Sequence, residues 1–251
     1  MLTTHRKQAI LAMLKRDGQV VAKLLSASFD VSEDTIRRDL RELASEGLLQ
    51  RVHGGALPSS SAMGDIVQRQ QINPTAKLAI ARKASELILP GQVVILDGGT
   101  TCALLARQLP LTLKATVVTH SPNVAMELMN HAGVDVVVIG GRLYKHSMVA
   151  VGAAAIEAIA HIRADVYFMG VTGIHPTAGL STGDLEEAHI KRALATRAAE
   201  VVVLASSEKI NAASTYVIAE VTAANTLVVE STTPDTMTEP LAALGLTILH
   251  A

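Results

Sequence analysis

The stretch "VSEDTIRRDLRELASEGLLQRVHGG", residues 31–55, sets Arg37, Arg38 and Arg41 along a short polar segment that opens near a serine and closes on paired glycines. A guanidinium fork matches both a guanine edge and a phosphate, so three of them lying mostly on one face could read a DNA duplex. Ser32 and Thr35 could contact the phosphate backbone, and Arg51 and His53, beside Gly54-Gly55, could reach an adjacent groove. The plainer reading is a solvated helix, because Asp39 and Glu42 are near enough in sequence to pair with the arginines. A second set of residues suits a smaller anion. In "DGGTT", Asp97 to Thr101, a strand-like run gives way to a helical one. Gly99, Thr100 and Thr101 could there offer backbone N–H groups and hydroxyls to a phosphate, with Asp97 at the loop's start. Lys209, in "SSEK", could neutralise it. Ser121 and Asn123 in "THSPN", Gly140 and Gly141 in "GGRLYK", and the segment "GVTGI" add small or polar groups at strand ends, where ligands of open α/β sheets collect.

The elements that must position these groups follow from apolar spacing. Ile10, Met13 and Leu14 recur at helical intervals before the turn signal Asp17-Gly18; Leu24, Leu25 and Phe29 mark a second short helix that Asp30 breaks. Ser32 is a good N-cap, Glu33 and Asp34 suit the first turn, and Gly47 is a stop, which predicts a third helix over 33–45. On it Ile36, Leu40 and Leu43 form the inward stripe. Leu48 to Val52 reads as a strand, "HGGA" as a turn and Leu57 as the wing's return, completing a winged helix-turn-helix over 1–57. "PSSSAMG" has the composition of a flexible linker, assigned to 58–75. From 76 to 251, helical stretches separate apolar runs at 93–96, 116–118, 134–139, 166–169, 201–204, 216–219, 227–229 and 246–249. This alternation predicts an α/β domain with a largely parallel sheet and helices on its faces.

Composition agrees with two packed domains. Nearly half of the 251 residues are apolar, and aromatics are only 2%, which leaves Ala, Val, Leu and Ile to build the core. Nine basic against seven acidic residues up to Leu57 give net +2, and thirteen against sixteen beyond it give −3, the sign expected if only the N-terminal part meets a polyanion. One cysteine, Cys102, excludes an intramolecular disulfide and fits a reducing, cytoplasmic compartment. The sequence shows neither a membrane span nor a signal peptide, and the nine histidines show no metal-ligand spacing.

Three segments, "RKQAILAMLKRDGQV", "VSEDTIRRDLRELASEGLLQRVHGGA" and "ILDGGTT", together resemble the DeoR-type transcriptional regulators. The resemblance covers essentially the whole chain. It implies a winged helix-turn-helix ahead of a sugar-phosphate-isomerase-like sensor domain, in a bacterial regulator that binds double-stranded operator DNA. Such a regulator is more often a repressor, released by a small phosphorylated sugar, with no cofactor. The chain departs from the family pattern at Ser26, Ser28 and Asp30 around the second helix, and at Gly98, which stands for the family's serine in the phosphate loop. In the Asp-Ser-Ser-Lys motif that ends at Lys209, Ser206 and Glu208 are replacements. Glu208 beside the lysine is expected to weaken anion binding or alter which sugar is accepted.

Because the implied sensor fold is shared with sugar-phosphate isomerases, the alternative is an aldose–ketose isomerase using Asp97 as base and Lys209 as enediolate stabiliser. The Asp-rich loop and Lys-Gly-Gly-Gly segment of ribose-phosphate isomerases have no counterpart here, and fold alone grants no activity. A third reading is an architectural DNA-binding protein whose large domain only oligomerises. In "GLSTGDLEEAHIKRAL", Ser181 or Thr182 is a candidate helix cap, and Glu187 with Lys191, four apart, reads as a surface ion pair. A domain of net +2 offers limited affinity alone, so a homo-oligomer presenting paired winged helices is expected.

Overall fold

The computed structural model describes residues 2–60, 62 and 64–251, so Ser61 and Met63 of the expected linker lie outside the described residues. The N-terminal unit contains α1 (Thr3–Asp17), β1 (Val20–Val21), α2 (Ala22–Phe29), α3 (Glu33–Ser45), β2 (Leu49–Val52) and β3 (Gly55–Pro58). Its core joins Ile10 and Leu14 of α1, Leu25 of α2 and Ile36, Leu40 and Leu43 of α3, the inward stripe read from spacing. Leu24 differs from expectation: it is 65% exposed, because the eight-residue α2 has room on its buried side only for Ala22 and Leu25. Asp30 ends α2 in the left-handed region at φ 50°, which Asp tolerates better than most residues. The departure at Ser26 is structural, since its hydroxyl donates to the Val31 carbonyl at 2.7 Å and closes the same turn. Ser28 is exposed.

The wing is a three-stranded antiparallel sheet in the order β1-β3-β2, and β1 was not foreseen. The turn is shorter than "HGGA" suggests. Only His53 and Gly54 lie between the strands, with Gly54 at φ 78°, while Gly55 already pairs with Val21. Gly55 is required by proximity, because a Cβ there would lie 1.9 Å from the Val20 carbonyl oxygen.

The expected flexible linker is docked onto the following domain. Ser59 bridges to Ala213, the Ser60 hydroxyl donates to the Thr172 carbonyl, and Ala62 is buried. A short helix, α4 (Ile66–Gln71), follows under a reciprocal capping box between Asp65 and Gln68. Small polar residues are flexible when solvated; here their hydroxyls and backbone groups meet partners in the domain below.

The C-terminal domain is built on a seven-stranded, all-parallel sheet in the order β15-β14-β12-β9-β4-β5-β6. These strands are β4 (Val93–Leu96), β5 (Ala115–Thr119), β6 (Val134–Val138), β9 (Ala164–Gly170), β12 (Ala198–Leu204), β14 (Thr226–Val229) and β15 (Thr247–His250). Successive strand residues face opposite layers. Val94, Leu96, Phe168 and Val202 pack with α5 (Pro74–Ser85) and α6 (Thr100–Gln108), while Ile95, Tyr167, Met169 and Val203 pack with α8 (Ala153–Ala160) and α9 (Leu185–Ala195). Two small antiparallel sheets lie outside this stack. One pairs β7 (Arg142–Tyr144) with β8 (Val149–Val151); the other joins β10 (Gly173–His175), β11 (Gly179–Thr182) and β13 (Tyr216–Ala219). The run at 216–219 therefore belongs to a side sheet, and the other small strands were too short for periodicity to reveal. After β4 the chain steps through β5 and β6, then crosses back to place β9 on the other side of β4. The switch point of the sheet is thus the gap between the carboxyl ends of β4 and β9.

Candidate functional site

On α3 the acidic residues that could have silenced the arginines are taken by α1. Asp39 is fully buried and receives a two-point contact from Arg6, Nε to Oδ2 at 2.5 Å and Nη2 to Oδ1 at 3.1 Å; Glu42 meets Lys7 at 2.7 Å. Arg37 remains tied along its own helix, to Glu33 at 2.9 Å and Asp34 at 3.3 Å. Arg38 and Arg41 are exposed and have no ion-pair partner among the described residues. Ser32 caps the helix by accepting the Thr35 N–H at 3.2 Å, and its hydroxyl lies 3.0 Å from that of Thr35, so the two hydroxyls meet at the helix N-terminus. Arg51 and His53 are exposed on the wing, where they border a cleft of about 780 Å³ shared with the 176–179 turn of the second domain. The Arg6–Asp39 contact spans 33 residues, and no local pattern announces it.

At the sheet's switch point Gly99 adopts φ 108° as the N-cap of α6, and the loop borders a cavity of about 30 Å³. Gly98, Gly99, Thr100 and Thr101 line it, together with the 170–172 segment at the carboxyl end of β9 and Lys209. Lys209 is 7% exposed, and its ammonium has neither a hydrogen bond nor an ion pair among the described residues. Burial pulls its pKa down to about 8, against the opposing pull of Glu208. Sequence reasoning missed two further cations on the same cavity, Arg69 of α4 and Lys77 of α5. Burial lowers the pKa of both; the Lys77 ammonium donates to the Arg69 carbonyl, and the Arg69 Nε is buried without a partner. A signal for Lys77 was present: it shares the buried face of its helix with Ile80, Ala81 and Ala84, three, four and seven residues on.

Asp97 does not face the cavity, contrary to its expected role as a ligand contact. It is fully buried, and its oxygens accept from Gly98 N at 2.8 Å, Gly170 N at 2.8 Å, His120 Nε2 at 2.9 Å and the Lys191 ammonium. Burial pushes its pKa up, but Lys191 and His120 outweigh that and hold the carboxylate well below the usual range. It therefore pins the loop after β4 to the loop after β9 and so fixes the shape of the cavity. The Glu187–Lys191 surface pair is likewise corrected: both residues are buried, Lys191 turns to Asp97 and the Gly170 carbonyl, and Glu187 faces the cavity. Asp184, not Ser181 or Thr182, caps α9 by accepting the Glu187 N–H at 3.0 Å. Glu208 is turned away, held by Ser206 at 2.6 Å and Asn73 at 2.7 Å, and does not line the cavity.

Four expected contacts lie elsewhere. Ser121 is buried and spends its hydroxyl on the Met148 carbonyl at 3.1 Å, Asn123 sits in α7 (Pro122–Leu128), and Gly140 and Gly141 are exposed after β6. The reason is topological: β5 and β6 lie on the side of β4 away from β9, so their ends open outside the switch-point gap. No group of three or more His, Cys, Asp or Glu side chains that could hold a metal exists among the described residues, and none of the described helices is long and apolar enough to cross a membrane.

Comparison with known proteins agrees with this division. Residues 6–62 match the DeoR-like helix-turn-helix domain, and residues 72–231 match the DeoR C terminal sensor domain. The chain is 33% identical to the HTH-type transcriptional regulator GlpR of Haloferax volcanii, over 99% of this chain and 98% of that one. It is 34% identical to the glycerol-3-phosphate regulon repressor of Escherichia coli K12, covering 83% of each chain. Among solved structures, ribose 5-phosphate isomerase A from Methanocaldococcus jannaschii overlaps 55% of this chain and 54% of its own at 22% identity, with a TM-score of 0.41. The two relatives from Haloferax volcanii and Escherichia coli are named as transcriptional regulators, and with both domains matched in order the chain belongs to the DeoR family of helix-turn-helix transcriptional regulators.

Proposed function

We propose that the chain represses a carbohydrate-metabolism operon by binding operator DNA through α3 and the wing, and that a phosphorylated sugar at the switch-point cavity releases it. The carrying observation is that Lys209, a buried residue without an ion pair among the described residues, lines the same cavity as the N-terminus of α6, with Arg69 and Lys77 also on its wall. Desolvated cations beside backbone N–H groups are strained without an anion and satisfied by one. The name of one relative, the glycerol-3-phosphate regulon repressor, supports the same ligand class.

The cavity also supplies a route to the DNA-binding unit. At about 30 Å³ it has room for little more than ordered water, and Ala62 and Arg69, from the segment that leads out of the winged helix, form part of its wall. A sugar phosphate needs more room than this, and a shift of that segment would supply it. An effector that binds the shifted arrangement more tightly moves the winged helices, and only such differential affinity can do so. The paired readers that an operator requires call for a homo-oligomer. The apolar edge of β6 and α7, with Met126, Met129, Val137 and Val138 exposed, is the surface we assign to it. An isomerase role for Asp97 is disfavoured, because each of its oxygens is already engaged.

The test of the DNA-binding half uses a DNA site selected by the full chain from a random pool. Arg38→Ala and Arg41→Ala should each weaken binding by about tenfold in a gel-shift assay while inorganic phosphate still binds. Unchanged DNA affinity in both variants would overturn the assignment of α3.

A further inference from the structure

The last strand of the winged helix ends at Pro58, and from there the chain is fastened to the sensor domain residue by residue. The Ala213 N–H donates to the Pro58 carbonyl at 3.3 Å, Ser59 bridges to Ala213, and the Ser60 hydroxyl donates to the Thr172 carbonyl. The Ser60 hydroxyl also accepts the Ala62 N–H at 3.1 Å. A solvated linker of small polar residues would let the winged helix tumble, whereas a wing tied at its exit keeps one direction. The large parallel sheet does not supply the tie. Thr172 leads into β10 and Ala213 leads towards β13, so the anchor belongs to the side sheet of β10, β11 and β13.

A buried chain of hydroxyls stiffens that anchor. Ser60, Thr172, Ser181 and Ser214 are all buried. The Thr172 hydroxyl donates to the Ser181 carbonyl at 3.2 Å and lies 2.7 Å from the Ser214 hydroxyl. The Ser181 hydroxyl donates to the Gly173 carbonyl at 3.2 Å and accepts the Ser214 N–H at 3.0 Å. A hydroxyl carries one proton. Thr172 spends its proton on Ser181, so Ser214 is the donor at their contact, and the direction of the chain is fixed. The packing beside it has no slack, because a Cβ at Gly173 would lie 2.6 Å from the Ala212 carbonyl oxygen.

The same side sheet faces the wing. Its 176–179 turn and Val217 border the cleft that Arg51 and His53 border from the other domain. We infer that the side sheet is the platform that aims the wing, with Ser60, Thr172 and Ser214 as positioning residues for DNA reading. Buried as they are, they do not meet DNA themselves; they fix the angle at which each winged helix leaves its sensor domain, and so the spacing of two readers on one operator. A misdirected second reader has a lower effective concentration at its half of the site. This assignment rests on the paired readers proposed above.

The experiment is anisotropy titration of the full chain against two labelled duplexes, the chain-selected site and the same site with one half scrambled. The wild type should bind the intact site more tightly than the half-scrambled one. Ser60→Ala should lower affinity for the intact site by about fivefold or more, the worth of a hydrogen bond whose buried partner is left unpaired, with affinity for the half-scrambled site unchanged. Ser60→Thr keeps the hydroxyl and should behave as the wild type does. Ser214→Ala breaks the chain from inside the sensor domain and should act in the same direction as Ser60→Ala; it carries the test if that variant does not fold. Intact-site affinity unchanged in both alanine variants, or an equal fall on both duplexes, would overturn the platform while leaving the paired readers standing. A wild type that binds both duplexes equally would overturn the paired readers, and the platform with them.

Discussion

Replacing Lys209 by methionine should make the apo protein more stable and deaf to phosphate. In the folded chain the ammonium loses its proton near pH 8, against an ordinary 10.5, because burial penalises the charge. That difference corresponds to about 3 kcal/mol. The sign follows from proton counting. Between pH 8 and 10.5 the unfolded chain holds the proton and the folded chain does not, so stability rises with pH across this window, and the full cost is present below pH 8. Lys209→Met removes the charge and keeps the stem, so at pH 7 it should stabilise the sensor domain by about 1–3 kcal/mol, raising Tm by about 2–10 °C. The advantage should shrink as the pH approaches 10.5. Thermal melts of both proteins at pH 7 and 9, with and without inorganic phosphate, provide the assay. Phosphate should raise the wild-type Tm at pH 7, do so less at pH 9, and leave the variant unmoved. A variant that melts below the wild type at pH 7, or gains as much from phosphate, would refute the reading of Lys209 as a desolvated cation awaiting an anion.

Two further expectations concern the winged helix. Asp39→Ala leaves Arg6 buried without its partner and should cost about 2–4 kcal/mol, somewhat less than a deep interior pair because the unit is thin; chemical denaturation followed by helical circular dichroism reads it, and Arg6→Met in the same chain should recover most of the loss. Gly55→Ala drives a Cβ against the Val20 carbonyl, and the resulting separation of β1 from β3 should weaken DNA binding by about tenfold or more, as measured by titration of the selected site.

The parts of this protein that sequence reasoning reached are those with a local cause. The stripe of Ile36, Leu40 and Leu43, the Ser32 cap and the buried strand at 93–96 follow from periodicity and capping, and each is present as read. The helix N-terminus at Gly99 follows from a glycine-rich turn between strand and helix. What escaped depends on partners far away in the chain. In sequence Asp39 is a neighbour of the arginines, whereas its partner Arg6 lies 33 residues earlier. Asp97 stands at the start of a glycine-rich loop, whereas its partners His120, Gly170 and Lys191 come from far later in the chain. Composition misjudged the linker for the same reason: Ser60 and Ala62 are buried by Thr172 and its neighbours, which no window around residue 60 contains. Ser121, Asn123, Gly140 and Gly141 were placed with the cavity because sequence alone does not say which side of β4 a strand joins.

The central claim is that the anion cavity and the DNA-reading helix are thermodynamically linked. It is tested most directly by fluorescence anisotropy of a labelled, chain-selected DNA site, titrated at fixed salt with and without each member of a panel of phosphorylated sugars. For the wild-type chain at least one member should weaken DNA binding by about tenfold or more, a coupling typical of allosteric regulators, and that effect should vanish in Lys209→Met while its DNA affinity without ligand is retained. DNA affinity indifferent to every member of the panel, or a response undiminished in the variant, would contradict the account.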